Sequence, residues 1–146
     1  PTRRSSDLVG HGWKPTSLIW LNADGSYNTD GMDGGFDLHL FFSETDLTYY
    51  STMYYFTSHS TTKMQPQDYE YSENSNCIYT SRVYNNIQYE TWYTVLSLDE
   101  QSMTVLKKSI AEESGKWIYV YQYGKYDKMT DEELQALANY APEDLK

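Results

Sequence analysis

Catalysis needs titratable or nucleophilic groups brought together, so the three histidines are read first. His11, His39 and His59 stand far apart, in different segments. No Ser-His-Asp or Cys-His arrangement accompanies them. His39 alternates with apolar neighbours, which puts it on the polar face of a strand. Glycoside chemistry asks for two carboxylates ~5–9.5 Å apart in a cleft. With 21 Asp and Glu, chance pairs are everywhere, so their number points to nothing. Cys77 is the only cysteine, which excludes an internal disulfide and a Cys-based zinc site. It reads as a strand residue, since a free Cys is commonly buried. No catalytic residue is assigned, no cofactor is implied, and the expectation is a protein that is not an enzyme.

Metal chemistry has one candidate. Asn22, Asp24, Ser26, Asn28, Asp30 and Asp33 occupy positions 1, 3, 5, 7, 9 and 12 of a calcium-loop register. Position 6 is Tyr27 where the sharp turn needs Gly, and position 12 is Asp33 where a bidentate Glu belongs. A solvated loop rich in Asx and Gly explains the same residues, so no metal site is assigned. Residues 22–35 are nonetheless long for a plain connection, and a lid or binding loop is the natural reading.

The third candidate is aromatic. The chain has 16 Tyr and 4 Trp, while its hydrophobic fraction is only 39%. Rings rather than leucines should therefore fill the interior, each burying ~150–250 Å². In period-2 strands Tyr49, Tyr55, Tyr89, Tyr93, Tyr119 and Tyr121 share one face. With Phe36, Leu38, Leu40, Leu47, Met53, Val95, Met103 and Val105 they form the expected ligand-binding set. A tyrosine-lined lumen offers apolar walls with polar tips, suited to an amphipathic guest. The alternative is a barrel filled by its own side chains. A second reading puts Tyr50, Tyr54, Trp92 and Tyr123 outside, as a stacking platform for sugars.

These residues need strands to hold them. Residues 13–21, 36–42, 47–56, 69–72, 77–84, 87–98, 103–110 and 116–124 read as eight β-rich runs. Residues 57–67 are polar, carry Pro66 and read as a long connection. Asn85-Asn86 is a two-residue hairpin turn, because Asn tolerates the left-handed region. Thr130 to Glu133 is a capping box that opens a helix over 131–140, whose stripe is Leu134, Leu137, Ala138 and Ala141. Short turns between successive runs favour an all-β, eight-stranded, antiparallel up-and-down barrel with a C-terminal helix; a β-sandwich is the runner-up. Eight strands is the number at which a closed sheet either fills with side chains or holds one small ligand.

Composition narrows the partners. A net charge of −10 repels phosphate backbones, so nucleic acid is not an expected partner. No apolar run reaches the ~18 residues of a membrane helix. Residues 1–8 are basic and Ser-rich, unlike everything after them, and resemble a translated sequencing adapter. They are set apart from a single domain over 9–146, and any export signal or lipid anchor would lie on the natural N-terminus they replace.

Residues 8–14, LVGHGWK, resemble the lipocalin opening, in which a Gly-x-Trp element starts the barrel, although no Gly stands two before Trp13. The hairpin from Phe42 to Leu47-Thr48-Tyr49 and the hairpin from Tyr93, Val95 and Ser97-Leu98-Asp99 to Met103 and Val105 resemble lipocalin-like domains of secreted, Bacteroidetes-type envelope lipoproteins. An aromatic last strand before a helix belongs to the same likeness, which spans nearly the whole chain. The resemblance implies an eight-stranded barrel that binds a small hydrophobic or amphipathic molecule outside the cytoplasm. The rival class is a carbohydrate- or protein-binding β-module working through exposed aromatics.

Overall fold

The computed structural model describes residues 7–27, 36–54, 59–113, 116–140 and 144–145. Its strands are β1 (His11–Leu21), β2 (Phe36–Phe42), β3 (Asp46–Tyr54), β4 (His59–Met64), β5 (Gln67–Ser72), β6 (Cys77–Tyr84), β7 (Ile87–Leu98), β8 (Ser102–Glu113) and β9 (Lys116–Lys128). Helix α1 (Asp131–Tyr140) and the two-residue β10 (Asp144–Leu145) follow. None of the described helices is long and apolar enough to cross a membrane.

From β1 to β9 each strand pairs antiparallel with the next in sequence except β4 with β5, and β9 returns to β1, where Leu21 opposes Tyr121 and Trp13 opposes Lys128. β4 and β5 act as one bent strand. β3 pairs with both, Tyr50 opposite Lys63 and Leu47 opposite Gln67. Pro66 lies at the bend between them, where a residue without an N–H leaves no ladder donor wasted. The circuit is therefore an eight-stranded up-and-down barrel, the arrangement found in lipocalins. Residues 57–67, expected to be a connection, contain β4. Its Ser-Thr-Thr run lacks the apolar alternation that marks a strand, and its pairing with β3 supplies what local pattern does not.

Pairing is uneven around the circuit. β8 and β9 run in register from Ser102 opposite Asp127 to Glu113 opposite Lys116. The described pairing of β1 with β2 covers His11, Gly12 and Trp13 alone. β6 pairs with β5 from Cys77 to Thr80; beyond that, among the described residues, its ladder partner is β7. β4 meanwhile turns its outer edge to β10, with Asp144 opposite Lys63. Among the described residues, no strand pairing bridges β4 and the end of β6.

Local chemistry shapes the corners. Asn85 and Asn86 have φ of 51° and 63° between the paired Tyr84 and Ile87, which is the two-residue hairpin turn expected of them. Register shifts at Thr16 and Leu96 add the twist that closing a sheet requires. At the end of the barrel near Phe42, Tyr69 packs edge-on against that ring at 5.2 Å and donates to the Ser43 carbonyl at 2.6 Å. The Thr130 hydroxyl accepts from Glu133 N–H, and the Glu133 carboxylate accepts from Thr130 N–H, each at 3.1 Å. This is the capping box read from the sequence. Lys14 on β1 also bonds Glu133 and draws its carboxyl below the usual range. Thr130→Ala is expected to lower stability by about 1 kcal/mol, read as a drop in the urea midpoint at unchanged m-value.

The core occupies one half of the barrel. Trp13, Leu40, Phe42, Leu47, Ile78, Tyr93, Val95, Met103, Val105 and Tyr126 are buried and in mutual contact. Leu8, the last residue of the segment set apart at the start, is fully buried in the same cluster. Gly12 lets the end of β9 and the helix approach, since a Cβ there would meet Met129 Sδ at 3.0 Å and Leu134 Cδ1 at 3.1 Å.

Candidate ligand-binding site

Register decides which residues face the lumen, because residues opposite one another share a face. Ile78 opposes Tyr93, Tyr93 opposes Lys107, and Lys107 opposes Gln122. Ile78, Tyr93 and Gln122 are buried, so this row is the inner one. The neighbouring row runs Tyr79, Trp92, Lys108, Tyr121 and faces outward.

Above the packed half lies a cavity of about 360 Å³. Leu38 and Tyr49 line it from β2 and β3, and Tyr89 from β7. These are the members of the expected set that the structure brings to it. Leu40, Leu47, Val95, Met103 and Val105 point inward too, but they belong to the solid core below. Tyr93 lies at the boundary, with its hydroxyl 2.7 Å from that of Tyr49. Tyr121 sits in the outer row, opposite Lys108, and not in the lumen. In its described part β9 sets Tyr121 and Tyr123 in the outer row and turns Gln122, Gly124 and Tyr126 inward, so hydrophobicity alone assigns these faces the wrong way round. Phe36 and Met53 pair across β2 and β3, but their side chains, that of Tyr119 and all of Tyr55 lie outside the described residues.

The rest of the lining, polar apart from Met64, escaped the sequence reading. It comprises Ser51 on β3, Met64 on β4, Gln67 on β5, Thr80, Ser81 and Arg82 on β6, Thr91 on β7, and Lys107 and Ser109 on β8. The usable signal was parity. Once Tyr93 is inward, Tyr89 and Thr91 share its face, and Lys107 stands across from it. Ser81 belongs to the opposite parity, and it reaches the cavity where the wall is open between β4 and β6. The site therefore has a side opening beside Met64 and Arg82.

Electrostatics separate the lining groups. Burial pushes the Tyr49 hydroxyl up to about 12, and burial, with Tyr49 beside it, raises Tyr93 well above its ordinary value. Both stay protonated and serve as hydrogen-bonding groups. Burial lowers the Lys107 ammonium to about 8. Its nitrogen lies 5.6 Å from the centre of the Tyr93 ring, and the Arg82 guanidinium lies 5.8 Å from that of Tyr89. Such cation–π contacts offset part of the lost hydration. Gln67 donates to the Thr80 hydroxyl at 2.9 Å, and Thr80 donates to the Asp68 carbonyl at 2.6 Å, which fixes this wall.

The other candidates stay apart. His39 is partly buried on β2, where the polar face of a strand was expected. Asp24 caps its own turn, accepting from Ser26 N–H at 2.9 Å and Ser26 hydroxyl at 2.6 Å. Asn28, Asp30 and Asp33 lie outside the described residues, and no trio of metal-binding side chains occurs among those described. Cys77 is partly buried at the start of β6, and burial raises its thiol. Tyr50, expected on an outer platform, is buried; α1 and β10 lie against its neighbour β4. Trp92 packs on Tyr79 at 5.2 Å, with the Lys108 ammonium 5.4 Å over its ring. A second recess of about 290 Å³, near His11, Leu98 and Lys128, is small and ringed by acids. There burial and Lys128 hold His11 below its ordinary value against Asp131, which raises it.

No family model and no curated protein matches the sequence. Solved structures do show a likeness. A complex of bovine odorant-binding protein with undecanal shares 11% identity at a TM-score of 0.48, covering 95% of this chain and 83% of that one. Odorant-binding protein from bovine nasal mucosa matches at 12% identity, with the same score and coverage. Odorant Binding Protein OBP1 matches at 14% identity and a TM-score of 0.48, over 95% and 86% of the two chains.

Proposed function

We propose that this chain is a non-enzymatic binding protein that holds one small amphipathic molecule in the open half of its barrel. The observation that carries the reading is the cavity of about 360 Å³ above a solid core. That volume falls in the ~300–1,000 Å³ range of small-molecule sites. Leu38, Met64, Tyr49 and Tyr89 supply apolar surface, while Lys107, Arg82, Thr91 and Ser109 supply polar tips. A guest with an apolar body and a polar end matches both kinds of lining, so an amphipathic molecule fits better than an entirely apolar one. Export to a bacterial envelope, as a lipoprotein or secreted protein, belongs to the same reading and rests on the hairpin resemblance.

The rival reading, a surface module for sugars or proteins, has less support. Stacking needs free ring surface, and the Trp92 ring is already in contact with Tyr79 and with the Lys108 ammonium. Solvent extraction and native mass spectrometry of protein purified from cells test the proposal. A bound small molecule, or saturable binding from a panel of fatty acids and bile acids, is the expected result. Repeated recovery of empty protein with no binding from the panel would sink it.

A further inference from the structure

The chain carries a net charge of −10, yet the charged side chains lining its cavity, among the described residues, are Lys107 and Arg82. They come from strands that do not pair, β8 and β6, and both face the same space beneath the side opening. Inner-row registration fixes Lys107 there, because it stands directly across from the buried Tyr93. Hydroxyls of Ser51, Thr91 and Ser109 line the same space. A positive, hydroxyl-rich hollow inside an acidic protein is an arrangement for receiving negative charge.

We propose that the ligand is an amphipathic anion whose carboxylate head sits on Lys107 with Arg82 beside it, its apolar part lying against Leu38, Met64 and Tyr89. The inference rests on the cavity reading above and adds the chemical class of the head group. A partly buried cation held by an aromatic ring is incompletely compensated. Loss of hydration is what lowers the Lys107 ammonium, and a carboxylate would restore the missing interaction. The Tyr93 ring and the Tyr49 and Tyr93 hydroxyls stay neutral, so nothing described in the floor opposes an incoming anion.

Calorimetric titration of the full chain with decanoate, 1-decanol and decyltrimethylammonium separates the two readings. Decanoate is expected to bind roughly tenfold more tightly than decanol, the step from a neutral to a charge-assisted hydrogen bond. Decyltrimethylammonium is expected to be the weakest of the three. Lys107→Met should bring the decanoate-to-decanol ratio to within about twofold, while Lys107→Arg should keep it, as a retained charge predicts. Equal affinity for decanoate and decanol overturns the anion proposal and leaves the cavity reading standing. A ratio unchanged by Lys107→Met, or ammonium binding as tight as decanoate, also overturns it. These comparisons on the unaltered protein decide the matter even if the Met variant fails to fold. No binding of any probe overturns both readings.

Discussion

Trp13→Ala is expected to destabilise the barrel by about 3–5 kcal/mol. Trp13 is 1% exposed and sits where β1 meets both β2 and β9, opposite Leu40 and Lys128. Removing the indole takes away its transfer free energy and leaves a cavity at the seam where β1 has its described pairing with β2. Collapse around the void is hindered, because Leu8, Leu40, Phe42 and Tyr126 are already close-packed there. Trp13→Phe should cost much less, since the indole N–H has no hydrogen-bond partner among the described residues and its loss forfeits nothing. Chemical denaturation of the two variants gives the comparison. Equal losses for Ala and Phe would mean that the ring's volume is not what matters.

Tyr93→Ala should show the second large effect, also about 3–5 kcal/mol, with a distinct signature. Tyr93 is 1% exposed and forms the boundary between core and cavity. Its loss joins the two spaces, takes one of its hydrogen-bond partners from the Tyr49 hydroxyl and removes the ring beneath Lys107. Tyr93→Phe isolates the hydroxyl: the ring stays, and the buried Tyr49 hydroxyl loses its 2.7 Å partner. About 1 kcal/mol is expected for that change, the loss of one hydrogen bond from a hydroxyl that keeps Gln67 beside it. A Phe variant as stable as the unaltered protein would show that Gln67 or water suffices for the Tyr49 hydroxyl.

The legible parts of this molecule are those where one residue type settles one geometry. Asn85 and Asn86 specify a turn of positive φ, and Thr130 with Glu133 specifies a helix start. Strict alternation placed Leu38, Leu40, Val95, Met103 and Val105 on the inner face. β4 was hidden because its polar residues pair by virtue of β3. The site itself was half hidden for a physical reason. Reading from hydrophobic to inside works for a packed core and fails for a lumen, where Lys107, Arg82, Thr91 and Ser109 face inward. Tyr121 failed for the converse reason: on an outer wall an aromatic is simply a good strand former.

The unequal ladders have a mechanical meaning. From β6 to β9 and on to β1 the wall is knitted by long continuous pairing, and it resists shear as one stiff sheet. Compliance is confined to two seams, one along β1 and β2 beyond Trp13, the other between β4 and the end of β6. Dilating the lumen around a bulky guest therefore strains those seams and leaves the long ladders intact. The barrel gives along one side, as a sleeve does at its slit, while Tyr93 and Lys107, set in the stiff wall, keep their places.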